Sequence, residues 1–219
     1  MTRDELAQML DVTLVKNIHT EIEIESLIDN ARKYLYACVF TLPCYLSRVV
    51  AGLDGSGVHA GGTMGFPSGG ELTEIKIAET KLNLKMGADE LDMVINLGWM
   101  RSGKYDAVLD ELKRIRDAAQ EKPLKCIIEL GCLDDDTAKR ACELVVQSGA
   151  DYVKTGTGWF SPATVEQVRL IKSVVGDDIR IKAAGGIRDM DTVEALLTAG
   201  AHRLGIGLAS AIEMMQQTS

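Results

Sequence analysis

Four ionisable side chains interrupt apolar runs of the sequence: Asp92, Lys125, Lys154 and Lys182. Strands of a parallel sheet are covered on both faces, so they are typically continuous in apolar residues. A buried charge without a partner is costly, and such residues persist when they are paired or when function requires them. The alternative is that each lysine pairs with an acid or points to solvent. Four such residues on separate segments favour a functional site.

The two later lysines fit one kind of chemistry. A lysine is a nucleophile only as the neutral amine, which is scarce near neutrality at an ordinary pKa of about 10.4. Burial lowers that pKa, and a second cation lowers it further. We therefore predict that Lys154 forms an imine with a carbonyl substrate while Lys182 lowers its pKa. An imine is an electron sink for breaking or making the adjacent carbon–carbon bond, and the accompanying proton transfers call for a carboxylate such as Asp92.

Glycine pairs follow the last three candidate strands, at Gly156 and Gly158, at Gly185 and Gly186, and at 205–207. Backbone amides that glycine leaves open are suited to bind a phosphate at that end of a barrel. Any one pair could equally form a tight turn. Together they predict a phosphate site beside the paired lysines.

The elements that position these residues alternate along the chain. Short β-rich runs are separated by segments of helical period, a pattern typical of parallel α/β architecture. A short extended segment near 11–15 brings the number of strands to eight, which predicts a single (β/α)8 TIM barrel spanning residues 1–219 as one domain. The other candidate strands are Ala37–Phe40, His59–Phe66, Glu90–Asn96, Leu124–Glu129, Tyr152–Gly156, Arg180–Ala184 and Arg203–Gly207.

An internal repeat marks three helix-to-strand junctions, at 87–92, 149–154 and 200–205. Each begins with Gly-Ala, and the glycine can supply a left-handed helix stop before the chain turns into a strand. The repeated unit is therefore helix end, loop and strand.

Composition excludes several other classes. The 219 residues carry 24 Lys+Arg against 32 Asp+Glu, a formal charge of −8. An acidic chain without a basic run argues against nucleic-acid binding, and no apolar stretch approaches the length of a membrane helix. The acidic N-terminus is unlike a signal peptide, which predicts a cytoplasmic protein. Five cysteines without metal-ligand spacing predict neither a disulfide framework nor a metal site, and Cys126 is expected to be buried.

The motifs collectively resemble the 2-deoxyribose-5-phosphate aldolase family, the class I aldolases that cleave this sugar phosphate to glyceraldehyde 3-phosphate and acetaldehyde. The resemblance covers nearly the whole chain, and its most specific segments are Gly65-Phe66-Pro67, 90–96, 125–129, 150–155 with Thr157-Gly158, and 182–188.

The resemblance implies roles for individual residues. Lys154 is similar to the imine-forming lysine, Lys182 to the lysine that tunes it, and Asp92 to the carboxylate that moves protons through a bound water. It implies a lyase of carbohydrate catabolism that needs no cofactor, and it leaves a homodimer open. It further implies substrate contacts at Lys125, Thr157 and Asp11, and phosphate contacts at Gly158, Gly185, Gly186 and Gly205.

The sequence departs from the family pattern near the substrate. Gly156 replaces the usual serine after Lys-Thr, and Gly207 and Leu208 replace a Ser-Ser pair that contributes to phosphate binding. Phe40 and Thr41 replace an Asn-Pro pair. Two alternatives therefore remain open: an imine-forming aldolase for a different hydroxy-ketone or sugar, with or without phosphate, or a non-catalytic barrel that binds a sugar phosphate.

Overall fold

The computed structural model describes residues 1–218. Within them, eight parallel strands close into a barrel in chain order, and the last strand pairs with the first. The predicted (β/α)8 barrel is confirmed. The strands are β1 (Leu10–Leu14), β2 (Cys38–Thr41), β3 (His59–Met64), β4 (Glu90–Val94), β5 (Leu124–Ile127), β6 (Tyr152–Lys154), β7 (Arg180–Ala184) and β8 (Arg203–Gly207).

Helices precede the first strand and follow each of the eight. No helix among residues 1–218 combines the length and the apolar character needed to cross a membrane. A 3₁₀ turn follows β5 at Leu130–Cys132. The helices are α1 (Arg3–Ala7), α2 (Glu21–Tyr34), α3 (Pro43–Leu53), α4 (Thr73–Lys85), α5 (Leu97–Arg101), α6 (Tyr105–Ala119), α7 (Asp135–Gln147), α8 (Val165–Val175), α9 (Met190–Thr198) and α10 (Leu208–Gln217).

Side-chain caps fix where several helices begin. The Thr20 hydroxyl accepts the Glu23 amide, and the Glu23 carboxylate accepts the Thr20 amide in return. This reciprocal pair satisfies donors that the first helical turn leaves free. Thr164 and Gln167 form the same arrangement at α8. For that reason α8 begins at Val165.

The repeated junction has a structural purpose. Gly87, Gly149 and Gly200 all have left-handed backbones, with φ of 97°, 76° and 115°, which confirms the predicted helix stops. Two residues after each glycine, a side chain accepts an amide of the preceding strand. Asp89 accepts from the Ala60 amide, Asp151 from Leu124, and the His202 Nδ1 from Ile181. The repeat therefore ties each helix end to its neighbouring strand.

The strands alternate between two environments. One set of their residues packs with the helices in a continuous apolar core, in which Cys126 is fully buried as expected. Burial raises the pKa of the Cys126 thiol. The other set fills the barrel interior and carries the charges. Residues of the outer set include Val12, Val39, Leu91, Met93, Val153, Ile181, Leu204 and Ile206.

Phe40 fills the upper interior of the barrel because its neighbour across the strand pair is Gly61. A Cβ at Gly61 would overlap the Phe40 ring. We expect Gly61→Ala to lower the free energy of unfolding by about 1–3 kcal/mol, the usual cost of overpacking. Urea denaturation measures this change.

Gly98→Ala is the matched control, because its new Cβ would make only an ordinary contact. The double variant Gly61→Ala/Phe40→Ala should lose less free energy of unfolding than the two single variants lose together, since contacting sites couple. If the loss in the double variant equalled the sum of the two single losses, the ring would not require the glycine.

Candidate active site

Seven charged side chains from six strands lie along the barrel axis, and we call them the axial cluster. Six of them are buried to 5% exposure or less, and the seventh is 14% exposed. Each is paired with an opposite charge, which offsets the cost of removing it from water. The cluster consists of Asp11, Glu90, Asp92, Lys125, Lys154, Lys182 and Arg203.

Lys154 and Lys182 are the register partners of adjacent strands β6 and β7. Both ammonium groups donate to one oxygen of Asp92: Lys154 Nζ lies 2.6 Å and Lys182 Nζ 2.7 Å from Oδ2. Burial lowers the pKa of Lys154 to about 8, and the positive charge of Lys182 adds to that effect against the opposing pull of Asp92. The structure therefore brings together the three residues predicted to do the chemistry.

The two carboxylate oxygens of Asp92 differ in their hydrogen bonds. Oδ2 accepts from both lysines, whereas the buried Oδ1 accepts no hydrogen bond from residues 1–218. Burial alone would raise the pKa of Asp92, but Lys154, Lys182 and Lys125 outweigh it and hold the pKa below its ordinary value. Asp92 is thus an ionised carboxylate with an oxygen available as a proton acceptor.

Lys182 is fully buried and does not line the cavity. Its ammonium group lies between Asp92 and Asp11, 2.6 Å from Asp11 Oδ2, and 3.9 Å from the centroid of the Phe40 ring. These contacts suit a residue that acts on Lys154 electrostatically rather than by touching substrate.

The structure places Lys125 and Asp11 away from the substrate contacts expected of them. Both are fully buried, and neither lines the cavity, so their positions do not fit the predicted contact with substrate. Lys125 pairs with Tyr152 in the strand register, two residues before Lys154. Its ammonium group lies one side-chain layer below the site, where it donates to Asp11 at 2.8 Å and to Glu90.

A cavity of about 620 Å³ opens at the carboxyl ends of the strands, where TIM barrels carry their active sites. Lys154 and Asp92 line its floor, and Phe40 and Thr63 line its wall. The predicted Thr157, Gly158, Gly185, Gly186 and Gly205 all line it, as do the divergent Gly207 and Leu208.

The glycines in this wall also have packing reasons. A Cβ on Gly158 would lie 3.0 Å from the Gly185 Cα, so the two loops approach backbone to backbone. A Cβ on Gly205 would lie 2.7 Å from that of Ala184 and 3.4 Å from Lys182 Cε. Close packing around Lys182 therefore requires Gly205, whether or not that glycine binds phosphate.

Glu129 is a buried residue whose role the sequence did not indicate. Its Oε2 accepts the Thr157 amide at 2.9 Å and so fixes the loop that follows Lys154. A Cβ on Gly156 would lie 2.6 Å from Glu129 Oε1. The departure to glycine at position 156 therefore makes room for this carboxylate.

An aromatic pair at the mouth was also missed. Trp159 and Phe66 meet edge to face, with ring centroids 6.4 Å apart and planes at 84°. Both line the cavity, together with the exposed cations Lys16 and Arg188. The sequence pattern does not indicate this contact, because the two rings come from the distant loops after β3 and β6.

One group of possible metal ligands converges within the described residues. Side-chain atoms of Asp11, Cys38 and Glu90 lie within 4.8 Å of one another. Both carboxylates already accept from Lys125 and Arg203. These cations neutralise the group, and we assign no metal to it.

Residues 6–217 match the model of the DeoC/LacD family of aldolases. The chain belongs to this family. Membership confirms the predicted enzyme class, a carbon–carbon lyase, and confirms the resemblance on which the sequence assignments rest.

Relatives of this aldolase are similar over nearly their whole length. A deoxyribose-phosphate aldolase from Coprothermobacter proteolyticus is 41% identical over 214 residues, covering 97% of each chain. One from Desulfitobacterium hafniense is 42% identical over 203 residues, covering 91% of this chain and 93% of the relative. The tetrameric deoxyribose phosphate aldolase from Aeropyrum pernix superimposes with a TM-score of 0.88 at 28% identity, covering 99% of this chain and 92% of that structure.

Proposed function

We propose that this aldolase reversibly cleaves 2-deoxy-D-ribose 5-phosphate to D-glyceraldehyde 3-phosphate and acetaldehyde through an imine on Lys154. The observation that carries the proposal is the shared carboxylate oxygen of Asp92, 2.6 Å from Lys154 and 2.7 Å from Lys182 on a cavity floor. That arrangement supplies a lysine that is partly neutral near pH 8. The substrate is supported by relatives named for it.

The reaction begins with imine formation. The neutral Lys154 amine adds to the C1 aldehyde of the open-chain sugar, and the resulting carbinolamine loses its oxygen as water. The product is a protonated imine that withdraws electrons from the neighbouring bond. Lys182 keeps the free amine available, because its charge disfavours a second cation beside it.

Cleavage then breaks the bond between C2 and C3. A base removes the proton of the C3 hydroxyl, the C2–C3 electron pair moves into the imine, and the aldehyde product leaves. The remaining enamine takes a proton at C2, and water hydrolyses the new imine to release acetaldehyde and the amine. We assign these proton transfers to Asp92, acting through a water molecule, because its Oδ1 accepts no hydrogen bond from residues 1–218. The imine is itself the electron sink, so the steps use side chains and water alone.

The pH dependence of catalysis follows from Lys154. Its pKa of about 8 means that the amine is mostly protonated below pH 8 and mostly neutral above it. We expect kcat/KM to rise with pH along an acid limb centred near pH 8, since kcat/KM reports the groups of the free enzyme. Initial rates between about pH 6 and pH 10 measure the limb. A flat profile across that range would contradict the assignment.

The phosphate of the substrate is assigned to the amides at the cavity wall. Helix α10 begins at Leu208, and its N-cap Gly207 provides no side-chain hydrogen bond, so the first amides of the helix are open to an anion. Gly185 and Gly186 add left-handed backbone beside them, with φ of 114° and 68°.

Comparing kcat/KM for 2-deoxyribose 5-phosphate and 2-deoxyribose tests this function. We expect a preference for the phosphate ester of about 100-fold, the worth of two or three kcal/mol of anion binding. Detection of both aldehyde products establishes the reaction. Comparable rates on both sugars would instead favour an imine-forming aldolase for unphosphorylated substrates, which the missing hydroxyls at Gly207 and Leu208 motivate.

The setting of the reaction is proposed along with its chemistry. Residues 1–219 act as one catalytic domain in carbohydrate catabolism in the cytoplasm. A homodimer stays a prediction, and light scattering of the purified protein would distinguish it from the tetramer described for the Aeropyrum pernix relative.

A further inference from the structure

The axial cluster continues below the proposed catalytic residues to the opposite end of the barrel. There Arg203 donates to two carboxylates: Nη1 lies 2.7 Å from Asp11 Oδ1 and Nη2 lies 3.0 Å from Glu90 Oε1. Glu90 also accepts from Lys125. Arg203 and Glu90 do not line the cavity, so neither meets the substrate.

An unbroken series of ion pairs connects this end to Lys154. Arg203 holds one oxygen of Asp11, and Lys182 lies 2.6 Å from the other. Lys182 in turn shares Asp92 Oδ2 with Lys154. The position and charge of each group therefore depend on the next.

The net charge of the axial cluster depends on the protonation of Lys154. The cluster contains four cations and three carboxylates, so its charges cancel when Lys154 is neutral and the other members are charged. In a buried site of low dielectric, removing one charge from such a set changes the cost of protonating every other member.

We propose that Arg203 and Glu90 are positioning residues that set the charge state of Lys154 from the far end of the barrel, acting through Asp11 and Lys182. The inference rests on the proposed function, in which Lys154 is the nucleophile. Two residues outside the cavity thereby influence the pH at which the enzyme works.

Arg203 and Glu90 should affect Lys154 in opposite directions. Loss of the Arg203 charge makes the cluster more negative, which favours protonated Lys154. Loss of the Glu90 charge makes it more positive, which favours the neutral amine. The other charged or titratable groups facing this column from the surrounding strands are Asp11, Cys38, His59, Asp92, Lys125, Tyr152, Arg180 and Lys182.

The test compares Arg203→Gln and Glu90→Gln by the pH profile of kcat/KM. We expect the acid limb to move up by about half to one pH unit in Arg203→Gln and down by a similar amount in Glu90→Gln, the order expected of one buried charge at an effective dielectric of about 20. The double variant should return toward the wild-type limb. A merely structural role would lower kcat in both variants without moving their limbs in opposite directions, and that result would overturn the inference.

Two controls separate the cluster from general surface charge. Arg180 lies at the same end of the barrel, stacked on Tyr152 with 4.4 Å between its guanidinium and the ring centroid, and within the described chain it makes no ion pair. Arg180→Gln should move the limb less than Arg203→Gln does, because Arg180 is outside the series of ion pairs. Arg203→Lys, which keeps the charge, should do the same.

Two substitutions at the surface residue His59 test the inference even if a buried variant does not fold. His59 is half exposed, and its Nδ1 lies 3.0 Å from Glu90 Oε1. His59→Lys and His59→Glu place opposite charges there without entering the barrel. We expect smaller limb shifts, downward for lysine and upward for glutamate, and identical limbs would overturn the inference.

A readout without turnover distinguishes this inference from the proposed function. Acetaldehyde and cyanoborohydride ethylate a neutral amine, and mass spectrometry of the Lys154 peptide gives its labelling rate at each pH. If wild-type protein cleaves no sugar, the proposed function fails while labelling still reports the pKa of Lys154. If turnover is normal and neither readout shifts in the variants, the inference alone fails.

Discussion

Replacing Lys154 with leucine is expected to reduce cleavage of 2-deoxyribose 5-phosphate by at least about 10⁴-fold, because no imine forms and the remaining side chains supply no electron sink. The loss should appear in kcat at every pH. A coupled assay of acetaldehyde release measures it.

The same variant should remain folded. The folded state lowers the pKa of Lys154 from 10.5 to about 8, so at pH 7 it holds an ammonium group less favourably than the unfolded chain does. This cost is complete below pH 8 and disappears above pH 10.5. Leucine removes it, and we expect a thermal midpoint at pH 7 close to or above that of the wild type.

Lys81→Leu is the matched control, since Lys81 is exposed on the outer helix α4. It should retain full activity. Substantial turnover by Lys154→Leu would refute the nucleophile assignment, whereas a Lys154→Leu protein that unfolds at room temperature would contradict the stability argument.

Replacing Lys182 with methionine is expected to lower kcat/KM at pH 7 by about 10²- to 10⁴-fold, the range typical of losing a group that tunes proton transfer. With Lys182 absent, Lys154 no longer shares Asp92 Oδ2 with a second ammonium group, and a repelling cation disappears. Both changes raise the pKa of Lys154, so the amine is protonated at neutral pH.

The signature of this variant is partial recovery at high pH. Its acid limb should lie above the wild-type limb near pH 8, and the ratio of variant to wild-type rates should increase toward pH 10. Lys172→Met, at a partly exposed position on α8 outside the cavity, controls for loss of a lysine. A uniform loss at every pH would show that Lys182 acts by some means other than the charge of Lys154.

The sequence predicted the architecture and the three central residues for physical reasons. Eight strands that alternate with helices predict a parallel sheet, and eight such strands can close into a barrel. Charges within apolar runs mark inward-facing positions, and so Asp92, Lys154 and Lys182 could be identified together. The strand pattern also implied the helical crossovers between successive strands.

The sequence does not indicate how deep each inward-facing side chain lies along the barrel axis. The strand register places Lys125 beside Tyr152 rather than beside Lys154, and only the closed barrel fixes that stagger. Lys125 and Asp11 were accordingly expected at the substrate, whereas they lie beneath it. Contacts between distant segments, such as those of Phe66 with Trp159 and of Glu129 with the Thr157 amide, leave no local pattern.

The most direct measurement is peptide mapping by mass spectrometry after the protein is incubated with acetaldehyde and reduced with borohydride. If the chemistry is as proposed, a single ethyl group is found on the peptide containing Lys154, and the Lys154→Leu protein acquires none at any cavity lysine. An unlabelled Lys154 with an adduct on Lys182, or no adduct on either, would contradict the central claim.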